Sequence, residues 1–156
     1  MNEDKIIEEY LNAQILCVGN LREVSQIIKN IFEKLISARD SDQTIYIMGN
    51  GGSASTATHF TSDLLKTSII KSKKRFKAHS LSDNIPVVLA WANDDEYNNI
   101  FLGQLENFLK KNDIVIGFSG SGNSENVIKA IEFANNSNAT TISFTGKGGG
   151  KISKIS

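Results

Sequence analysis

The 156-residue sequence contains one cysteine, Cys17, and one proline, Pro86. A lone cysteine cannot form an internal disulfide, which excludes the disulfide-stapled class of small extracellular domains. Net charge is also absent. Lys+Arg and Asp+Glu both number 17, so no global field draws the chain to nucleic acid or to an anionic bilayer. The basic stretch Lys71, Lys73, Lys74 and Arg75 is local. No apolar run approaches the ~20 residues of a membrane span. The opening residues, Met1 to Tyr10, carry acids where a signal peptide carries a basic and then an apolar segment. These absences predict a cytoplasmic protein of one domain over residues 1–156, with neither nucleic acid nor membrane as partner. An apolar fraction of 40% is enough for a packed core.

What the sequence does have is clustered glycine. The 12 glycines fall mainly at Gly49-Asn50-Gly51-Gly52, at Gly117 with Gly120-Ser121-Gly122, and at Gly146 with Gly148-Gly149-Gly150. Each cluster follows a short run rich in β-branched or aromatic residues: Thr44 to Met48, Asp113 to Phe118, and Thr140 to Phe144. Such runs read as buried strands. Helical sequence follows each cluster, so the repeated unit is strand, glycine loop, helix. That is the pattern of a parallel α/β sheet, with ligands expected at the strand C-termini.

The other segments fit this reading. Val24, Ile27, Ile28, Ile31, Phe32, Leu35 and Ile36 follow a 3.6-residue period from Leu21 and predict an amphipathic helix. Further helices are expected over Asp4 to Val18, Asn84 to Ala92, Ile100 to Leu109 and Asn123 to Ala134. In the last of these Asn123 or Ser124 is the natural cap. A strand is expected within Arg75 to Leu81, and a helix opening within Gly148 to Ser156.

Four groups of residues carry candidate chemistry. Ser119-Gly120-Ser121-Gly122-Asn123-Ser124 lies between a buried run and a helix, so hydroxyls and free N–H groups converge as for an anion. It lacks the lysine of a Walker A loop. Asn50, Gly51 and Gly52 form a second loop whose glycines let a ligand approach the backbone. His59 and Asp63 stand four apart on one helix face, a spacing that suits proton transfer, two metal ligands, or an ordinary surface pair. Asn93 and Asp94 belong to a polar segment that can bind sugar hydroxyls or simply cap a helix. His79 reads as structural.

Taken in order, Gly49 to Ala54, His59-Phe60, Ala92 to Asp94, Ser119 to Ser124 and Thr145 to Gly150 resemble the sugar isomerase (SIS) domain family, in its phosphoheptose isomerase branch. The resemblance implies a flavodoxin-like parallel sheet flanked by helices, with N-terminal helices over about 3–38 and an α/β core over about 43–156, assembled as a homotetramer. It implies isomerisation of sedoheptulose 7-phosphate to D-glycero-D-manno-heptose 7-phosphate, for heptose-containing bacterial glycans. Residue by residue, Asn50, Gly51, Gly52, Asn93 and Asp94 would contact the sugar. Ser119, Gly120, Ser121 and Ser124 would hold its phosphate. His59 and Asp63 would be ligands of one zinc ion per subunit, and Asp63 the catalytic base. Aspartate stands here where the best-known members carry glutamate. The family pattern continues past the equivalent of Ser156 with another strand and a long helix that bears an active-site glutamine and histidine. The family also includes a non-catalytic regulator of replication initiation that lacks the base, and Asp63 favours the enzyme over that alternative.

Overall fold

In the computed structural model, which describes residues 2–146 and 148–156, the chain forms two compact units, Met1–Leu35 and Ile36–Ser156. The first holds α1 (Glu3–Asn20), a 3-10 turn (Leu21–Val24) and the opening of α2 (Ser25–Asp40). Asn2 caps α1 by accepting from the Lys5 N–H at 3.4 Å, and Glu3 and Asp4 complement the positive end of the helix. None of the residues of α1 is buried; Ile7, Leu11, Ile15 and Val18 are all exposed.

The second unit is built on four parallel strands: β1 (Thr44–Gly49), β2 (Lys77–Ser80), β3 (Ile114–Ser119) and β4 (Thr140–Thr145), in the order β2-β1-β3-β4. This is the flavodoxin-like arrangement the sequence predicts. The helices between the strands are α3 (Gly52–Ser62), α4 (Ile85–Asp94), α5 (Leu102–Phe108) and α6 (Glu125–Asn136). Central strands covered on both faces need continuous apolar runs, and Ile45, Ile47 and Met48 of β1 and Val115 and Ile116 of β3 are fully buried. The inward stripe of α6, Val127, Ile131 and Ala134, packs with Met48, Phe101 and Leu105 in one core.

Element ends depart from expectation for local reasons. The strand expected within Arg75 to Leu81 is paired only over Lys77–Ser80. The helix expected from Ile100 starts at Leu102, after a separate 3-10 turn at Tyr97–Asn99. The last segment forms a 3-10 turn at Ile152–Lys154 instead of an α-helix. The left-handed φ of Gly148, Gly149 and Gly150 is incompatible with the right-handed helix expected there. Lys147, within the expected Thr145 to Gly150 motif, lies outside the described residues.

A buried carboxylate joins the starts of two strands. Asp113 accepts from the Thr44 N–H and from the Lys110 N–H, both at 2.9 Å. Burial, with the Asp113 charge as a second cause, raises the Tyr46 phenol above its ordinary pKa and keeps it a donor, to the Phe108 carbonyl at 3.1 Å. Asp113→Ala leaves two part-buried N–H groups without their acceptor and should lower the unfolding free energy by about 1–3 kcal/mol. Urea denaturation checks this, and a loss below about 0.5 kcal/mol would remove Asp113 from that role.

Candidate functional site

Two glycine loops meet at the C-terminal edge of β1 and β3, which are neighbours in the sheet. In the first, Gly51 has φ 53° and ψ −121°, a conformation only glycine adopts without strain, and it turns the chain from β1 into α3. In the second, Gly122 has φ 64°, and a Cβ there would collide with the Gly149 carbonyl. A Cβ on Gly150 would in turn lie 2.5 Å from the Ser121 carbonyl oxygen. The third glycine cluster therefore backs the second loop, backbone against backbone. Two contacts tie them: Ile152 N–H donates to the Gly122 carbonyl at 3.0 Å, and Lys151 N–H to Asn123 Oδ1 at 3.1 Å.

Ser124 occupies the N-cap position of α6, yet its hydroxyl makes no capping bond. It faces Ser119 Oγ at 3.1 Å instead. Among the described residues the Glu125 and Asn126 N–H groups thus keep their capacity for an outside acceptor, while the Val127 N–H donates to Asn126 Oδ1. Ser119 is buried, whereas Gly120 and Ser121 are exposed at the loop tip. Ser121 Oγ accepts from the Asn123 N–H at 3.1 Å. This is a nest of hydroxyls and N–H groups facing solvent, suited to a phosphate.

Asn50 is held from two sides. Its Nδ2 donates to Asn126 Oδ1 and its Oδ1 accepts from Asn126 Nδ2, both at 2.9 Å. Tyr97 OH also donates to Asn50 Oδ1, at 3.0 Å. Asn126 is only 2% exposed. Neither Asn126 nor Tyr97 was singled out by sequence reasoning. The available signal was an amide at position 126, four before Ala130 and so on the inward face of a helix whose other inward positions are apolar.

His59 and Asp63 come together as their spacing predicts, with Nε2 and Oδ2 3.8 Å apart and both side chains largely exposed. Asp63 Oδ1 accepts from Thr67 Oγ1 at 2.9 Å. A π-helical turn over Asp63–Thr67 follows α3 directly, a feature that often accompanies functional sites. His59 lines an open groove of about 640 Å³ with Ser55, Thr58, Ser62, Ser82 and Asp83. Ala54, Ser82 and Ile85 are shared between this groove and a smaller cavity of about 170 Å³ beside Gly49, Asn50 and Gly51. Thr58 donates to Asp83, and Ser82 Oγ donates to the Gly49 carbonyl at 3.1 Å. Asp63 stands farther out. Because α3 has 11 residues, at a rise of about 1.5 Å each Asp63 lies roughly 16 Å along the helix from the first loop. It is thus beyond the glycine loops of its own chain.

Asn93 and Asp94 end α4, exposed, with Asn93 Nδ2 donating to Asp94 Oδ1 at 2.6 Å. Asp94 lines a separate depression with Ala90, Trp91 and Asp95. Among the described residues neither side chain hydrogen-bonds to the glycine loops. His79 is exposed in β2 with its ring stacked 5.9 Å from that of Tyr46. Among the described residues no third His, Cys, Asp or Glu joins His59 and Asp63 in a cluster able to hold a metal.

Residues 9–146 match the SIS domain family. The chain belongs to that family. This SIS domain is 36% identical over 156 residues to the phosphoheptose isomerase of Helicobacter pylori strain P12, covering 100% of this chain and 81% of that one. It is 37% identical over 155 residues to a probable phosphoheptose isomerase of Thermoplasma acidophilum, covering 99% and 81%. The solved structure of a phosphoheptose isomerase from Francisella tularensis superposes with a TM-score of 0.91 at 25% identity, covering 99% of this chain and 81% of that one. The SIS fold read from the glycine motifs is therefore the fold the chain has.

Proposed function

We propose that this SIS domain is an aldose–ketose isomerase that converts sedoheptulose 7-phosphate to D-glycero-D-manno-heptose 7-phosphate. The observation that carries the reading is the second glycine loop: a nest of hydroxyls and N–H groups at the N-terminus of α6, where Ser124 makes no capping bond, in a chain similar over its whole length to phosphoheptose isomerases. Phosphate binding there supplies orientation at a distance from the reacting carbons. Isomerisation moves a proton between C1 and C2 of the open-chain sugar through an enediol. Asp63 is the base that carries that proton, with His59 beside it. Hydroxyls of the sugar chain are the natural partners of Asn93, Asp94 and the backbone at Asn50, Gly51 and Gly52.

His59 and Asp63 also fit zinc in part. An imidazole nitrogen and a carboxylate oxygen 3.8 Å apart can both reach a zinc ion at about 2.0–2.2 Å and fill two of its four positions. Bound there, one ion per subunit would supply a Lewis acid that stabilises negative charge on a sugar oxygen.

Homo-oligomerisation, as a tetramer, belongs to the same reading. The apolar side chains of α1 are exposed, and covering such a stripe in a symmetric assembly is the simplest way to remove it from water. Assembly would also let the His59–Asp63 pair of one copy approach the glycine loops of another. Light scattering at micromolar concentration should give a multiple of the chain mass, and a well-behaved monomer would refute assembly. The activity itself is tested by incubating the full chain with sedoheptulose 7-phosphate and following the aldose by NMR. Substrate that binds but neither isomerises nor exchanges its C1 protons would point to the non-catalytic alternative.

A further inference from the structure

We propose that Asn126 and Tyr97 are positioning residues that set the amide of Asn50 and couple the phosphate loop to the first glycine loop. Asn126 stands two residues after Ser124, in the first turn of the helix that opens on the phosphate nest. Its side chain leaves that loop and closes a reciprocal amide pair with Asn50, 76 residues away in sequence, with both bonds at 2.9 Å. Asn126 Oδ1 also accepts from the Val127 N–H at 3.0 Å, which fixes which end of the amide is the acceptor. Tyr97 OH supplies the second donor to Asn50 Oδ1 at 3.0 Å.

The inventory of the Asn50 amide then decides its role. An amide has two donor hydrogens and one acceptor oxygen with two lone pairs. Both lone pairs of Oδ1 and one Nδ2 hydrogen are already committed, so the Asn50 side chain can offer a ligand one hydrogen at most. It acts chiefly as a strut between the loops. The strut has two settings, satisfied or broken, because the amide of Asn126, a residue only 2% exposed, is strongly disfavoured when left unpaired. Phosphate that orders the start of α6 therefore orders Asn126, and through it Asn50 and the Gly51 turn beside the substrate groove. Binding energy from the non-reacting phosphate is in this way delivered to the first glycine loop, whose backbone the isomerase reading places against the sugar chain.

The kinetic half of the test rests on the isomerase reading, and the binding half does not. For binding, 15N-labelled full-length protein is titrated with inorganic phosphate, following the Ser121 and Gly122 backbone amides and the Asn50 side-chain amide. In wild type all should shift with one dissociation constant. In Asn126→Ala the loop signals should still shift while Asn50 no longer responds. An Asn50 response that persists in Asn126→Ala, or one absent from wild type while Ser121 and Gly122 respond, would overturn the coupling. Silence at Ser121 and Gly122 would overturn the phosphate site and the coupling together. For kinetics, Asn126→Ala should lower kcat about 10- to 100-fold with KM within about threefold. In an Asn50→Ala background the same change should cost less than about twofold, since both act through one strut. Fully multiplicative losses would overturn the proposal. Should Asn126→Ala fail to fold, Tyr97→Phe, which deletes one hydroxyl from an exposed ring, should lower kcat about three- to tenfold and show the same non-additivity; an unchanged kcat would again overturn it.

Discussion

Asp63→Asn should lower the isomerisation rate by about 10²–10⁴, the usual cost of losing a general base, while sugar-phosphate binding survives. Asparagine keeps the size and planarity of aspartate, and its Oδ1 can still accept from Thr67 Oγ1 as Asp63 Oδ1 does at 2.9 Å. What it loses is the ability to take a proton. The Asp63 side chain is half-exposed and its partners His59 and Thr67 lie within one turn on either side, so the substitution leaves the fold intact. Asp63→Glu should be tolerated, because it restores a carboxylate and extends it by one methylene. The measurement is solvent-proton exchange at C1 of sedoheptulose 7-phosphate, followed by NMR. Exchange in wild type that disappears in Asp63→Asn establishes the base. Equal exchange in both clears Asp63 of that role.

The second large effect is expected at the phosphate loop. Ser121→Ala combined with Ser124→Ala should weaken sugar-phosphate binding at least tenfold, about 1.4 kcal/mol, with the fold unchanged. Each hydroxyl would donate a hydrogen bond to a charged oxygen, which is stronger than a bond between neutral groups. Neither hydroxyl supports the fold from a distance. Among the described residues Ser124 Oγ pairs only with Ser119 Oγ, and Ser121 Oγ accepts only from the nearby Asn123 N–H. Calorimetric titration of the folded double variant is decisive, since an unchanged dissociation constant would remove the phosphate assignment. Gly122→Ala makes an instructive contrast. There the left-handed backbone and the collision with Gly149 should disturb the loop itself, so stability and binding should fall together.

The type and order of the main helices and strands were determined by the sequence itself, because they depend on neighbours within a turn or two, whereas several of their ends were not. A 3.6-residue apolar period marks α2 and α6, and continuous β-branched runs mark β1 and β3, whichever fold surrounds them. The glycine clusters were legible for the same reason: a turn that needs φ of 53° at Gly51 or 64° at Gly122 selects glycine locally. The His59–Asp63 pair follows from helix spacing alone. Tertiary structure decided everything that depends on distant partners. It paired Asn50 with Asn126, joined Asp113 to Thr44 across 69 residues, and set the third glycine cluster behind the second loop. It also turned the Ser124 hydroxyl from the cap to Ser119. No local pattern encodes these contacts. A polar side chain in the interior takes whichever partner the packed sheet brings within hydrogen-bond reach, and that partner is fixed only when strands distant in sequence become neighbours.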